Sequence, residues 1–291
     1  MNPFVPGFLA GKVAFVAGGT SGINLAIAHA LAEYGARVAV MSRNAARVES
    51  AVAALRAHGG DVYGVAGDVR DFAAVERAVA GAHEALGPFD IVISGAAGNF
   101  ICPADELSSN GFRAVVEIDL IGTFHVLRAA KAVLHVPGAS LINISAPQST
   151  EAFWGQAHVS AAKAGVDMLT RSLAVEWGHE GIRVNGIVPG PIGDTEGMAR
   201  LAPTEEIREQ WAQMNPMRRF GTGHDVAQVA LFLCSDAAGY VNGTIVYCDG
   251  GQVLAGGRDY RASWLAMKAA QQRATPDGAT PDRVALGTSA E

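Results

Sequence analysis

Several short clusters in this chain have residue types and spacing suited to handling phosphate, a proton, or both. Gly18-Gly-Thr-Ser-Gly-Ile23 places three glycines within five positions, after the uncharged run Val13–Ala17 and before an alanine-rich pattern with Ile23, Ile27 and Leu31 on one face. Strand, glycine turn and helix is the order in which free N–H groups at a helix start receive a pyrophosphate, and a Cβ in the turn would hold the phosphate away. Such a turn alone is equally a tight connection. A second strand pattern ends Val40-Met-Ser-Arg-Asn44 with no acid. Ser42 and Arg43 offer a hydroxyl and a guanidinium there, which suit the 2′-phosphate of NADPH better than the bare ribose of NADH. Asp68 and Val69, after a third strand, have the types to accept from an adenine and flank it, and an Asp at such a place is also an ordinary turn residue. Asp119 sits on a helical face with Val115, Gly122 and Val126, where an ionised carboxylate is costly unless a cation or donors meet it. The alternative is a carboxylate that caps a kink. His158 titrates near neutrality and could donate a proton, contact a substrate, or satisfy a helix start.

The elements that must position these groups alternate along the chain. Strands are expected at Val13–Ala17, Arg37–Met41, Val62–Ala66, Ile91–Ser94, Leu141–Ser145, Arg183–Val188 and Thr244–Cys248. Helices are expected between them, including one long helix over Gly111–Val136 and another over Val159–Trp177. Short joints between alternating elements imply parallel strands, right-handed crossovers and an α/β fold: one doubly wound domain with a seven-stranded parallel sheet and helices on both faces. Pro189–Asn215 breaks the rhythm and is placed like a lid over the carboxyl ends of the strands. The expected organisation is a cofactor-binding domain over 1–251 that includes this lid, then a partly flexible extension over 252–291 that is polar and loosely attached from Ala274.

A length of 291 residues allows a sizeable core, and a net charge of −6 argues against a nucleic-acid groove. Cys102, Cys234 and Cys248 match neither a disulfide framework nor a zinc spacing, and the eight histidines form no metal pattern. No stretch is apolar for long enough to span a membrane, no signal peptide is apparent and the end carries no peroxisomal address, so a cytoplasmic protein is expected.

Four motifs together resemble the short-chain dehydrogenase/reductases: the Gly18–Ile23 turn, Asp68-Val69, Arg183-Val-Asn-Gly-Ile-Val-Pro-Gly190, and Tyr240-Val-Asn-Gly-Thr244 with Asp249-Gly-Gly251. They occur in order over about residues 10–251. The resemblance implies a Rossmann-type sheet holding a nicotinamide cofactor at Gly18, Thr20, Ser21, Gly22, Ile23, Ser42, Arg43, Asp68, Val69, Ala96 and Lys163. Pro189, Gly190 and Ile192 would form the nicotinamide wall. It also implies a homo-oligomer, dimer or tetramer, joined through the two long helices.

Two departures matter. Asn24 replaces the last glycine of the family's loop, so the first helix is expected to sit slightly displaced. The usual Tyr four residues before the Lys and Ser thirteen before the Tyr are Val159 and Ala146, counted back from Lys163. Asp119 stands where the family usually has Asn, a position that points toward the Lys. Lost Tyr and Ser, gained Asp119, and the strings Ala96-Ala-Gly-Asn-Phe100 and Pro189-Gly-Pro-Ile-Gly-Asp-Thr-Glu-Gly197 resemble the peroxisomal-type 2,4-dienoyl-CoA reductases. That branch implies hydride transfer from NADPH to a trans-2,4-dienoyl-CoA, giving a 3-enoyl-CoA, with the proton from a water held by Asp119 and Lys163. Reducing a ketone creates a localised alkoxide that needs an acid, whereas a dienoyl thioester spreads the charge, so the lost phenol weighs more against the ketone. Gln148 stands near where the mitochondrial branch keeps its Tyr.

Asn99, Phe100, Gln148 and His158 are the expected substrate contacts. Phe153 and Trp154 shape an acyl pocket or pack between subunits, and Arg200, Arg208, Arg218 and Arg219 meet coenzyme A phosphates or are plain surface charges. The alternatives are a carbonyl or 3-oxoacyl reductase whose acid is His158 or a residue of the tail, and a silent NADPH-binding sensor or scaffold.

Overall fold

The computed structural model describes residues 3–255 and 260–274. Its chain order is β1 (Val13–Ala17), α1 (Gly22–Glu33), β2 (Arg37–Ser42), α2 (Ala45–Arg56), β3 (Val62–Ala66), α3 (Phe72–Leu86) and β4 (Ile91–Ser94). Then come α4 (Ser109–Val116), α5 (Gly122–Lys131), β5 (Ser140–Ile144), α6 (Ala157–Trp177) and β6 (Arg183–Pro189). The lid carries α7 (Glu196–Leu201) and α8 (Glu205–Met214), and α9 (Gly223–Cys234), β7 (Ile245–Cys248) and α10 (Arg261–Ala274) complete the described chain.

All seven strands run parallel in the order β3-β2-β1-β4-β5-β6-β7. The chain leaves β3 at one edge and re-enters beside β1, so the order reverses between β1 and β4, and a crevice opens there at the carboxyl ends. β1 is buried at every residue, which is why its sequence is a continuous apolar run rather than an alternation. One face of the sheet is covered by α1, α2 and α9, with Ile27, Leu31, Leu55 and Leu231 in the core. The other is covered by α3, α5 and α6, with Phe15, Phe89, Val126 and Leu173.

The single long helix expected over Gly111–Val136 is corrected. Two α-helices meet at a π-helical turn, Glu117–Ile121, in which the Gly122 amide bonds to the Glu117 carbonyl five residues back. Apolar spacing carries through this turn because one extra residue shifts the pattern without ending it, so the sequence reads as unbroken. Part of the extension past residue 251 is packed: Tyr260 is buried and α10 packs against the body of the protein. The expectation of a loose tail from Ala274 onward falls almost entirely outside the described residues.

Asn24, at the start of α1, meets the exit of β4. Asn24 Nδ2 donates to the Gly95 carbonyl at 2.7 Å, and a Cβ at Gly95 would lie 2.1 Å from Asn24 Oδ1. The side chain occupies the space that the missing Cβ of Gly95 leaves.

Candidate active site

Asp119 lies in the middle of the π turn and is almost completely buried. Its Oδ1 accepts from the Gly98 amide at 2.7 Å, and its Oδ2 stands 3.2 Å from Lys163 Nζ with no other partner among the described residues. Lys163 comes from α6, and its ammonium also donates to the Ile144 carbonyl at the end of β5, at 2.9 Å. Behind the pair, Thr123 Oγ1 donates to the Asp119 carbonyl and is reached in turn by Ser94 Oγ, which fixes the π turn to β4. Burial pushes the Asp119 carboxyl above its ordinary value, while Lys163 and the Gly98 amide pull the other way. The ammonium carries three protons, and two of these contacts leave one free for a ligand in the cleft.

The pair lines a cavity of about 340 Å³ at the carboxyl ends of the strands. Ser21, Gly22, Ile23, Pro189, Gly190, Ile192, Asn99 and Gln148 line it as well. Val159 and Ala146, the positions without a phenol and a hydroxyl, line it too, so the wall there is hydrocarbon.

The residues present fit a dinucleotide. Ser21, the cap of α1, makes no side-chain hydrogen bond to the helix, and no acid stands in the first turn, so the first amides of α1 are left for an anion. Gly18 has φ +80°, and a Cβ on it would lie 2.9 Å from the Ala96 backbone. Only glycine lets the turn pass so close to the exit of β4. Thr20 is buried behind this turn. Ser42 ends β2, with Arg43 exposed beyond it and no acid at that strand end.

The third-strand pair is arranged differently from the expectation. Asp68 is forked by Arg70, with Nη2 at 2.6 Å. Partial burial opposes ionisation, but Arg70, with Arg43 adding to it, holds the carboxylate below its usual range. Its oxygens are therefore shared before any adenine arrives. The Val69 side chain points into the core against Gly122, and its carbonyl already accepts from His125 Nδ1 at 2.8 Å.

His158 is corrected from a substrate contact to a support. It is fully buried; with no carbonyl proton to offer, Phe100 O must accept from His158 Nε2, at 3.1 Å. The ring packs on Phe100 with centroids 4.3 Å apart, and burial lowers its basicity. His158 thus holds the loop after β4 and offers no proton to the cavity. Phe100 itself faces His158 and the Val115–Val159 cluster rather than the cavity, and Gln156 bonds the same Phe100 carbonyl at 2.7 Å.

Among the four arginines, Arg200 lines the cavity, where it is drawn to Glu196. Arg208 bonds the Ala202 carbonyl, Arg218 the Gln213 carbonyl, and Arg219 pairs with Asp225. Asn24, Ser145, Trp211 and Tyr260 line the same cavity and are not among the expected site residues. Ser145 was within reach, since it directly precedes the vacated Ala146; the aromatic pair depends on the path of the lid and tail.

Comparison with known proteins follows the same lines. The family model described as enoyl-(acyl carrier protein) reductase matches residues 17–252. A peroxisomal 2,4-dienoyl-CoA reductase of Arabidopsis thaliana, named as (3E)-enoyl-CoA-producing, is 44% identical over 260 residues, covering 86% of this chain and 87% of its own length. A Bacillus subtilis relative named "Probable 2,4-dienoyl-CoA reductase", (2E)-enoyl-CoA-producing, is 41% identical over 246 residues, covering 84% of this chain and 97% of its own. The crystal structure of a short chain dehydrogenase from Bacillus anthracis superposes with a TM-score of 0.77 at 39% identity, covering 84% of this chain and 96% of that one. The expected cytoplasmic location is overturned here: relatives from several organisms carry peroxisomal names. Composition and termini are weak guides to compartment, because an address is read by a receptor and leaves no trace in the fold.

Proposed function

The chain belongs to the short-chain dehydrogenase/reductase family, and from that premise we propose that it is an NADPH-dependent reductase of a conjugated enoyl thioester, converting trans-2,4-dienoyl-CoA to 3-enoyl-CoA. The observation that carries this reading is the buried Asp119–Lys163 pair facing a cavity whose wall at Val159 and Ala146 has no hydroxyl. The names of the relatives support the substrate class.

Bound on the glycine turn, a reduced nicotinamide supplies the hydride. The chain's own residues do the rest. The Gly18 turn and the first amides of α1 hold the pyrophosphate, and Ser42 and Arg43 hold the 2′-phosphate. Lys163 keeps its remaining proton for the ribose or a water. Asp119 Oδ2, turned toward Lys163, accepts from that water and orients it to protonate the α-carbon of the substrate. The hydroxide left takes the remaining Lys163 proton, which solvent restores. Negative charge spread over a dienoyl thioester needs donors rather than a strong acid, so the reaction does not require a phenol at the position of Val159. Asn99 and Gln148 border the substrate. The protein acts as a homo-oligomer through α4, α5 and α6, whose outer faces expose Phe112, Phe124, Met168 and Val175.

The test is NADPH oxidation with 2,4-hexadienoyl-CoA, acetoacetyl-CoA and a simple ketone in parallel, with the product double bond located by mass spectrometry. Turnover of the dienoyl-CoA to the 3-enoyl product is expected. Turnover of the ketone alone would refute the reading, and a 2-enoyl product would refute protonation at the α-carbon. Arg43→Ala should cost ten- to a hundred-fold in kcat/KM for NADPH and little for NADH, because the lost contact is a charge-assisted one to a group that NADH lacks.

A further inference from the structure

The family match ends at residue 252, yet the chain beyond it returns to the cavity. Tyr260 is buried, its ring stacked on Phe153 with centroids 5.4 Å apart and tilted against Trp211 at 5.2 Å. Three separate segments supply this cluster: the loop before α6, the lid helix α8 and the tail. The tail is anchored on the far side. Lys268 of α10 pairs with Glu106 at 2.7 Å, and Trp264 meets Trp154 edge-on at 6.5 Å.

Phe153, Trp211 and Tyr260 line the same cavity as Asp119 and Lys163, together with Met198 and Leu201 of α7. The cavity therefore combines an ion pair with a wall of aromatic and aliphatic carbon. Proton delivery uses the first and makes no use of the second. A thioester whose reacting carbons lie at the ion pair carries its remaining methylenes into whatever adjoins them, and an apolar chain gains most from an apolar wall.

We propose that Phe153, Trp211 and Tyr260 form the end wall of the acyl subsite and restrict this enzyme to short fatty acyl chains. This rests on the dienoyl thioester reading above. Each methylene buried against the wall raises kcat/KM by about four-fold until the chain reaches the rings. A longer chain must push packed rings aside, and the gain reverses.

The test measures kcat/KM for 2,4-dienoyl-CoAs of six, eight, ten and twelve carbons with the full-length protein, Tyr260→Ala, Trp211→Leu, Met198→Phe and Tyr260→Phe, each checked for a cooperative melt. The wild type should pass through a maximum and decline. Tyr260→Ala and Trp211→Leu should move the maximum at least two carbons longer, with roughly a ten-fold rise in the ratio of twelve- to six-carbon turnover. Met198→Phe should move it shorter, which keeps the test alive if the cavity-forming variants fail to fold. Tyr260→Phe retains the ring and should retain the maximum. Unmoved maxima in the folded variants would overturn the wall. So would a Tyr260→Phe that loses turnover on every chain, because the phenol would then be a proton donor. A wild type inert on every dienoyl-CoA would overturn the underlying reading instead.

Discussion

The two halves of the cleft are built from different atoms. On the side of β1 to β3 the ligand-facing groups are mainly backbone amides, exposed by glycines and by a helix cap that does not bond its own helix. On the side of β4 to β6 they are side chains, Asp119 and Lys163, held at 3.2 Å by partners drawn from β4, β5, α5 and α6. Backbone recognition depends on local turn geometry and tolerates almost any neighbour. Side-chain chemistry depends on several segments arriving together, and a small change in one of them is felt at once. The first half should therefore fail by losing affinity, the second by losing rate.

The largest test of that contrast is the ion pair. Asp119→Asn and Lys163→Met should each lower dienoyl-CoA turnover at least a hundred-fold while leaving NADPH affinity within a few-fold for Asp119→Asn. The double variant should cost little more than either alone, because the two act as a unit. Fluorescence titration of NADPH beside steady-state rates would separate the two effects. Additive losses would break the pairing. The pH profile sharpens it. Burial raises the Asp119 carboxyl above its ordinary value, so the activity that needs it ionised should fail on acidification at a higher pH than for a surface carboxylate, and Asp119→Asn should flatten that limb. The linkage to stability has the opposite sign. With the folded value above the unfolded one, this group favours the fold at low pH and its contribution is lost as pH rises through the raised value.

A smaller effect, of the other kind, is expected at the glycine turn. Gly18→Val places a branched side chain at φ +80° and 2.9 Å from Ala96, which should weaken NADPH binding at least ten-fold and cost about 1–3 kcal/mol of stability. Calorimetric titration and thermal melts would check both. A fall in rate at saturating NADPH would contradict the division. Smallest of all should be Asn24→Gly. It removes one buried hydrogen bond to Gly95 and should cost about 1 kcal/mol, with affinity changed by less than three-fold.

That same division decides what is legible in the amino-acid sequence alone. The seven strands and the glycine turn were legible because their signals lie within a few consecutive residues. Asp119 stood out because a charge on an apolar helical face calls for a partner. Its setting in a π turn did not stand out, since Val115 and Val126 keep apolar spacing on both sides of the extra residue. His158 was read as a possible acid from its chemistry alone, and only packing against Phe100 shows it to be a support. Tyr260 is one of five tyrosines, none of them near Lys163 in sequence, and its place in the cleft follows from a chain return that no local pattern records.

The π turn at Glu117–Ile121 also bears on how this helix can change by insertion or deletion. It carries one residue more than an α-helical turn holds, so loss of any residue between α4 and α5 would relax it to ordinary pitch. The flanking helices would then keep their places, and the bulge that carries Asp119 toward Lys163 would be lost. The carboxylate would leave its ammonium while the helix stayed intact, so such a deletion should yield a folded protein without a working centre. Single-residue length is, at this point, as much a part of the proposed apparatus as the identity of the carboxylate.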